Sequence, residues 1–447
     1  MKINKKIFGV KIIPSDGLSG VVNTPSDKSI SHRAIILGAL CIGETKIHNL
    51  LMSEDISCTI AAVEQFGAKV LLDDNSKIIK IYGIGIGGLF QPKKEIDCGN
   101  SGTSTRLLMG LISSIAIEAT FKGDKSLSQR PMQRVLEPLQ SIGIEIKDGN
   151  GINLPLKVRG SSYPLPIKHE LSIASAQVKS ALMFAALNIK GKSIIIEPVK
   201  TRDHTERLFE IFGANINLYH DENDKKVIEI IGENKLMPQE IDIPGDPSSA
   251  AFFIVAGLVT PGSFIKINNV MLNPTRSLYI DYLIQMGANI KFVNKFKKCG
   301  EVVCDLEVKT SKLKGMSFPS DVSPSLIDEY LILSVAAAFA EGETIFYGLS
   351  ELRVKESDRF DAIINLLTMS GVKCKSDGDD LIIYGERLVK GGGKIESNLD
   401  HRVVMSAMIM GMATEQPIII DNLEPISTSF PDFLRFYKEI GGKYQKN

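Results

Sequence analysis

In "PSDKSISHRAIILGAL", Lys28, Ser29 and Arg33 crowd the start of an apolar, helix-like run. The arrangement recurs along the chain. "GNSGTSTRLLMGLI" carries Asn100, Gly102, Thr103 and Arg106, "SLSQRPM" carries Arg130, "SAQVKSALM" carries Ser175 and Gln177, and "TRDHTE" carries Arg202 and His204. Further on, "NPTR" contributes Arg276, "VKESDR" contributes Lys355 and Arg359, and "DHRVVMS" contributes Arg402. Guanidinium groups in such number suit forked recognition of phosphate and carboxylate, whereas a lysine adds a point charge that can also move a proton. The acidic companions are mainly Asp328, Glu356 and Asp358. Asp328 stands out, because "SLIDEYLI" sets it inside an apolar helix start where an unpaired acid is costly.

The elements that must position these residues form a repeat. "EQFGAKV", "QSIGIEI", "EIFGANI", "IQMGANI", "TMSGVKC" and "KEIGGKY" place Gly67, Gly143, Gly213, Gly287, Gly371 and Gly441 at intervals of about 70 to 85 residues. Each unit opens on Ser, Asn or Asp, good helix caps, and runs into an Ala- and Gly-rich apolar helix. A short β-branched stretch follows, then an amphipathic helix ending at the glycine, then alternating residues that suit a hairpin, as in "AKVLLDDNSKIIKIYG". The unit is therefore βαβαββ. Its first helix is apolar nearly all round, so those helices form buried bundles and the sheets lie outside. Six units in two groups of three would bring their helix starts together on one face of each group. Each start adds about half a positive charge and free N–H donors. Two such faces meeting would make a cleft for anions.

Composition excludes other classes. With 52 basic and 52 acidic residues in 447, nothing points to nucleic acid or a membrane surface, and the absence of tryptophan with 6% aromatic residues argues against a base-stacking platform. The six cysteines, Cys41, Cys58, Cys98, Cys299, Cys304 and Cys374, show no CxxC pair and read as reduced thiols of a cytoplasmic protein. Neither a leader after Met1 to Val10 nor an apolar run near the roughly 18 residues of a membrane span is present. "YGIGIGGLF" precedes no helix, and "KGGGK" lacks the Ser or Thr of a P-loop. His204 and His401 are too isolated to define a metal site, and Ser31 and His32 read as cap or surface.

Taken together, "SDKSISHR", "GNSGTSTRLL", "RPM", "SAQVKSALM", "LRVKESDR" and "DHRVVMS" resemble the 3-phosphoshikimate 1-carboxyvinyltransferase (EPSP synthase) family across essentially the whole chain. The resemblance implies an α/β fold, the two-domain inside-out α/β barrel of enolpyruvyl transferases, with six βαβαββ repeats, three per domain. Residues 1–20 plus 246–447 would form the phosphoenolpyruvate side, and residues 21–245 the shikimate 3-phosphate side. It implies enolpyruvyl transfer between these two substrates with release of phosphate. No metal and no organic cofactor is implied, and the expected form is a cytoplasmic monomer bound to neither nucleic acid nor membrane. Opposed anion-binding halves should draw together on ligand.

By the same resemblance, Lys28, Ser29, Arg33, Ser175, Ala176, Gln177, Asp328 and Lys355 hold shikimate 3-phosphate. Lys28, Gly102, Arg130, Gln177, Arg359 and Arg402 hold phosphoenolpyruvate. Asp328 is implied as the base and Glu356 as the acid, with Lys28 sharing proton transfer. Thr428 replaces a lysine of the commoner family form, Ala176 a serine and Glu351 an asparagine, while "RDHTE", "GDKS" and "NPTR" match the family's second class. That class often tolerates the inhibitor glyphosate, but Gly102 leaves the inhibitor's space open, so intermediate tolerance is implied. The sister enzyme that uses a UDP-amino sugar carries a reactive cysteine where this chain has Lys125.

Overall fold

The six recurrent glycines end their helices in one way. All are left-handed, with φ of 107° at Gly67 and Gly143, 76° at Gly213, 100° at Gly287, 82° at Gly371 and 108° at Gly441. Each donates its N–H back into the last helical turn, and the next residue donates five residues back, as Ala68 does to the Val63 carbonyl and Ala214 to that of Phe209. This closure satisfies carbonyls that the helix end would otherwise orphan, and a glycine takes the left-handed position without a Cβ penalty. The computed structural model describes residues 9–73 and 78–446, so the tip of the first hairpin and the first eight residues, including most of the lysine-bearing start, lie outside the described residues.

The described strands form six four-stranded sheets. In one, Ile96–Asp97 lies parallel to Glu118–Lys122, while Leu156–Arg159 and Glu145–Asp148 add antiparallel neighbours. The sheets containing Lys192–Glu197 and Gly342–Phe346 repeat this order. Two sheets exchange the first strand. Ser19–Asn23 pairs in parallel with Phe264–Met271, whereas Glu240–Asp242 pairs in parallel with Ile42–His48. The last sheet is completed by Val10–Ile13, antiparallel to both Ile418–Ile420 and Lys443–Lys446.

The exchange explains where the chain divides. One compact unit holds Met1–Pro25, Gly245–Lys297 and Glu301–Asn447, and the other holds Ser26–Pro244 and Lys298–Gly300. The expected boundary at residue 20 falls inside Ser19–Asn23, whose ladder with Phe264–Met271 keeps it in the first unit up to Pro25. A boundary cannot cut a hydrogen-bonded strand without orphaning its backbone groups.

In the second unit, helices Lys28–Ala39, Gly102–Ser113 and Ala176–Ala186 are buried along most of their length. The last two approach so closely that a Cβ on Gly110 would stand 2.2 Å from the Ala181 carbonyl oxygen. In the first unit, helices Pro247–Val259, Tyr330–Ala338 and His401–Ala413 pack on one another, and every residue of Pro247–Val259 is buried. Apolar residues all round a helix demand this interior position. Among the described residues no helix is long and apolar enough to cross a membrane.

Candidate active site

In the second unit, the polar groups sit where the inner helices begin. Asp27 caps the Lys28 helix, its carboxylate accepting from the Ile30 N–H at 2.7 Å. Ser101 caps the Gly102 helix through the Ser104 N–H at 3.1 Å, and Ser175 caps the Ala176 helix through the Val178 N–H at 3.4 Å. These caps leave Lys28, Gly102 and Ala176 as first residues of their helices, beside backbone donors and the positive dipole end.

Lys28 forms an ion pair with Asp55, a buried acid on helix Glu54–Gln65. Arg33 is 4% exposed and donates to Thr205 Oγ1 at 2.6 Å, Ser180 Oγ at 2.8 Å and the Ser29 carbonyl at 2.9 Å. Gln177 ties its own helix to the helix of Gly102: its carbonyl accepts from Arg106 at 2.6 Å and its amide donates to Thr103 Oγ1 at 3.0 Å. Arg130, buried after the short turn Leu127–Gln129, donates to Asn100 and to Ser126. Ser29, Arg33, Gly102, Arg130, Ser175, Ala176 and Gln177 thus all belong to this unit with Lys28.

In the first unit, Arg359 is the hub. It opens helix Arg359–Met369, is 1% exposed, and pairs with Asp400 at 2.9 Å, Asp328 at 3.2 Å and Glu356 at 2.7 Å. Burial works against its charge, but these three carboxylates outweigh burial and push its pKa above the usual guanidinium range. Asp400 shows the same balance with the opposite sign: burial raises its pKa, yet Arg359 and His401 together hold it below the ordinary carboxylate value. Asp400 also caps helix His401–Ala413, accepting from the Arg402 N–H at 2.8 Å. Arg402 donates to the Asp328 carbonyl at 2.7 Å, with the Asp328 carboxylate 4.0 Å from its Nε and Glu329 at 3.9 Å from its Nη1. Lys355 follows the short turn Ser350–Val354, next to Glu356. The base and acid implied by the resemblance, Asp328 and Glu356, therefore grip one arginine.

Asp328 lies in a turn between Ser323–Leu326 and Tyr330–Ala338, rather than inside a helix as its apolar surroundings suggested. From this turn its carboxylate pairs with Arg359 and its carbonyl accepts from Arg402. Ser31 and His32 are fully buried, contrary to their reading as cap or surface. Ser31 donates to the Asp27 carbonyl at 2.8 Å, and His32 Nδ1 meets Thr59 Oγ1 at 2.7 Å. Burial first, then the charges of Lys28 and Arg33, hold the His32 pKa well below 6.5. Residues that the sequence did not single out include Asp55, Thr205, Ser180, Glu329 and Ser248. Glu329 accepts from Ser248, which accepts from Arg276 at 2.9 Å, and Arg276 pairs with Asp246 at 2.8 Å. Two adjacent acids in "IDEY" were the only sequence signal for Glu329.

Buried arginines facing carboxylates at helix starts, on a fold of six βαβαββ sheets, define an enolpyruvyl transferase architecture. The enolpyruvyl transferase NikO from Streptomyces tendae shares it at 15% identity and a TM-score of 0.75, covering 98% of this chain and 99% of that one. An EPSP synthase structure from Acinetobacter baumannii matches with a TM-score of 0.85 and 38% identity over 98% of this chain and 100% of that chain. The family model of EPSP synthase (3-phosphoshikimate 1-carboxyvinyltransferase) matches residues 12–436. Proteins named 3-phosphoshikimate 1-carboxyvinyltransferase from Bartonella tribocorum and Rhizobium johnstonii are 45% and 46% identical, over 98% and 96% of this chain and 99% and 96% of theirs. The chain belongs to the EPSP synthase family.

Proposed function

We propose that this enzyme transfers the enolpyruvyl group of phosphoenolpyruvate to the 5-hydroxyl of shikimate 3-phosphate, releasing phosphate. The observation that carries the reading is the Arg359 hub, which holds the base and acid candidates, Asp328 and Glu356, through one buried cation. Asp328 takes the 5-hydroxyl proton as that oxygen bonds to C2 of phosphoenolpyruvate. The methylene carbon becomes a methyl group by taking a proton from Glu356, with Lys28 sharing the transfer. The Glu356 carboxylate then takes back a methyl proton, restoring the double bond as the C2–O bond to phosphate breaks. Arg130, Arg359 and Arg402, with Lys28, Gly102 and Gln177, hold phosphoenolpyruvate and offset charge in the tetrahedral intermediate. Ser29, Arg33, Ser175, Ala176, Gln177 and Lys355, with Lys28 and Asp328, hold shikimate 3-phosphate.

In this reading the chain acts as a cytoplasmic monomer, and its balanced charge supports the absence of nucleic-acid or membrane partners. The residue types present suffice for the steps above, so the reading assigns no metal or organic cofactor. Phosphate release is measured with shikimate 3-phosphate, with UDP-N-acetylglucosamine and without acceptor. Release with the first acceptor alone is expected, and release with none of them refutes the reading. Glu356→Gln, followed across pH, separates the acid from Lys28: a lost basic limb in the kcat profile assigns the proton to Glu356.

A further inference from the structure

Arg33 is held by hydroxyls that belong to two other helices. Its Nε donates to Thr205 Oγ1 at 2.6 Å, and its Nη2 donates to Ser180 Oγ at 2.8 Å. The two hydroxyls stand 2.7 Å apart, and Ser180 reaches the Ala176 carbonyl at 2.7 Å. Each hydroxyl has one proton, so the geometry fixes its direction: Thr205 donates to Ser180, and Ser180 donates to Ala176. Both oxygens then accept from the guanidinium. The chain of donors ends on the first residue of the helix capped by Ser175, so Arg33 and that cap are fixed in one frame.

A second tie runs beside the first. Lys179, next to Ser180, is fully buried and pairs with Glu197 and Glu206, each at 2.8 Å. Glu206, next to Thr205, also pairs with Lys226 at 2.8 Å. Burial raises the Glu206 pKa, but Lys179 and Lys226 outweigh it and leave the carboxyl below its ordinary value. Two lysines and two glutamates cancel in charge. Such a buried cluster is a poor source of net stability compared with apolar side chains of similar volume, although breaking it is costly. Its place suggests what it does instead. It locks helix His204–Ile211 against helix Ala176–Ala186 at the residues whose neighbours hold Arg33.

We propose that Thr205 and Ser180, braced by the Lys179–Glu197–Glu206–Lys226 cluster, are positioning residues that aim Arg33 at an anionic group of shikimate 3-phosphate. This rests on the reading of Arg33 as a ligand of that substrate. A guanidinium held on its Nε edge resists rotation, so its forked donors keep the direction that bidentate recognition of a phosphate or carboxylate requires. Valine matches the threonine shape but removes the acceptor, leaving the Arg33 Nε donor to swing.

The test measures shikimate 3-phosphate binding by calorimetry, and steady-state KM for each substrate, in Thr205→Val, Ser180→Ala, Thr205→Ser and Arg33→Ala. Loss of one hydrogen bond to a charged group predicts about a 10-fold weaker binding of shikimate 3-phosphate in Thr205→Val. KM for phosphoenolpyruvate should stay within about twofold, and Thr205→Ser should restore binding. A purely structural role lowers the melting temperature without separating the two KM values. Unchanged binding in Thr205→Val, with weakened binding in Arg33→Ala, overturns the positioning role while leaving Arg33 as a ligand. Unchanged binding in Arg33→Ala overturns the reading beneath it. If Thr205→Val fails to fold, Ser180→Ala carries the same prediction through the Nη2 contact.

Discussion

Gly102→Ala tests the proposed phosphoenolpyruvate set with one methyl group. Gly102 opens its helix, and a Cβ there would stand 2.8 Å from Arg106 Nη1 and 3.3 Å from Arg130 Nη1. Ordinary contact begins at 3.4 Å, so Arg106 must retreat by 3.4 − 2.8 = 0.6 Å and Arg130 by 3.4 − 3.3 = 0.1 Å. The same Arg106 nitrogen donates to Gln177 at 2.6 Å, and a 0.6 Å retreat along that bond lengthens it to 3.2 Å, the edge of hydrogen-bond range. Gln177 also donates to Thr103, so its amide shifts or gives up one partner. A hydrogen bond to a charged group contributes about 1.5 to 3 kcal/mol, which corresponds to roughly 10- to 100-fold in the KM for phosphoenolpyruvate. Shikimate 3-phosphate should keep its KM within about threefold. The fold should not suffer, since alanine is the better helix former by up to about 1 kcal/mol. Initial rates of phosphate release, with each substrate varied against saturating amounts of the other, give the comparison. A phosphoenolpyruvate KM within twofold of wild type, or equal rises in both KM values, refutes the crowding argument.

Four further outcomes follow from the buried groups. His32 is neutral in the fold and titrates near 6.5 when unfolded, so below that pH the unfolded state binds the extra proton and stability falls by about 1.4 kcal/mol per unit. Urea midpoints at pH 7.5 and 5.5 should show this loss in wild type and not in His32→Asn; equal losses refute it. Asp400→Asn removes one partner of a buried pair and should cost about 3 kcal/mol from pH 5 to 8, because a depressed carboxyl stabilises the fold above its unfolded value near 3.8. The difference from wild type should shrink as pH falls below that value, and a difference that grows there contradicts the assignment. Ser31→Ala should lose about 1 kcal/mol of stability and no turnover, whereas Lys28→Ala should lose about 100-fold in kcat and some stability through the abandoned Asp55. Burial pushes the thiols of Cys41, Cys98 and Cys304 up to about 12 and that of Cys58 to about 11, so a disulfide reagent at pH 8 should label none of the four within minutes in the native protein.

The repeat was legible in the residues alone, because its causes are local. A left-handed glycine after an amphipathic helix, a capping side chain before an apolar one and alternation in a hairpin act within a few residues, so the unit was legible as βαβαββ, although no side chain caps helix Tyr330–Ala338 and Lys443–Lys446 pairs with Val10–Ile13 instead of closing a hairpin. The cation set was legible for the same reason, since Lys28, Gly102, Arg359 and Arg402 lie within the first turn of their helices, next to recognisable caps. Tertiary structure decided which strand completes which sheet. The exchange of Ser19–Asn23 and Glu240–Asp242 depends on ladders between residues more than 190 positions apart, so no local pattern records it. It also decided the partners that give each charged group its direction. Asp55 faces Lys28, Thr205 and Ser180 face Arg33, and Asp400 completes the cage around Arg359. A cation announces itself by type and place, but the group that holds it still can come from any helix that packing brings near.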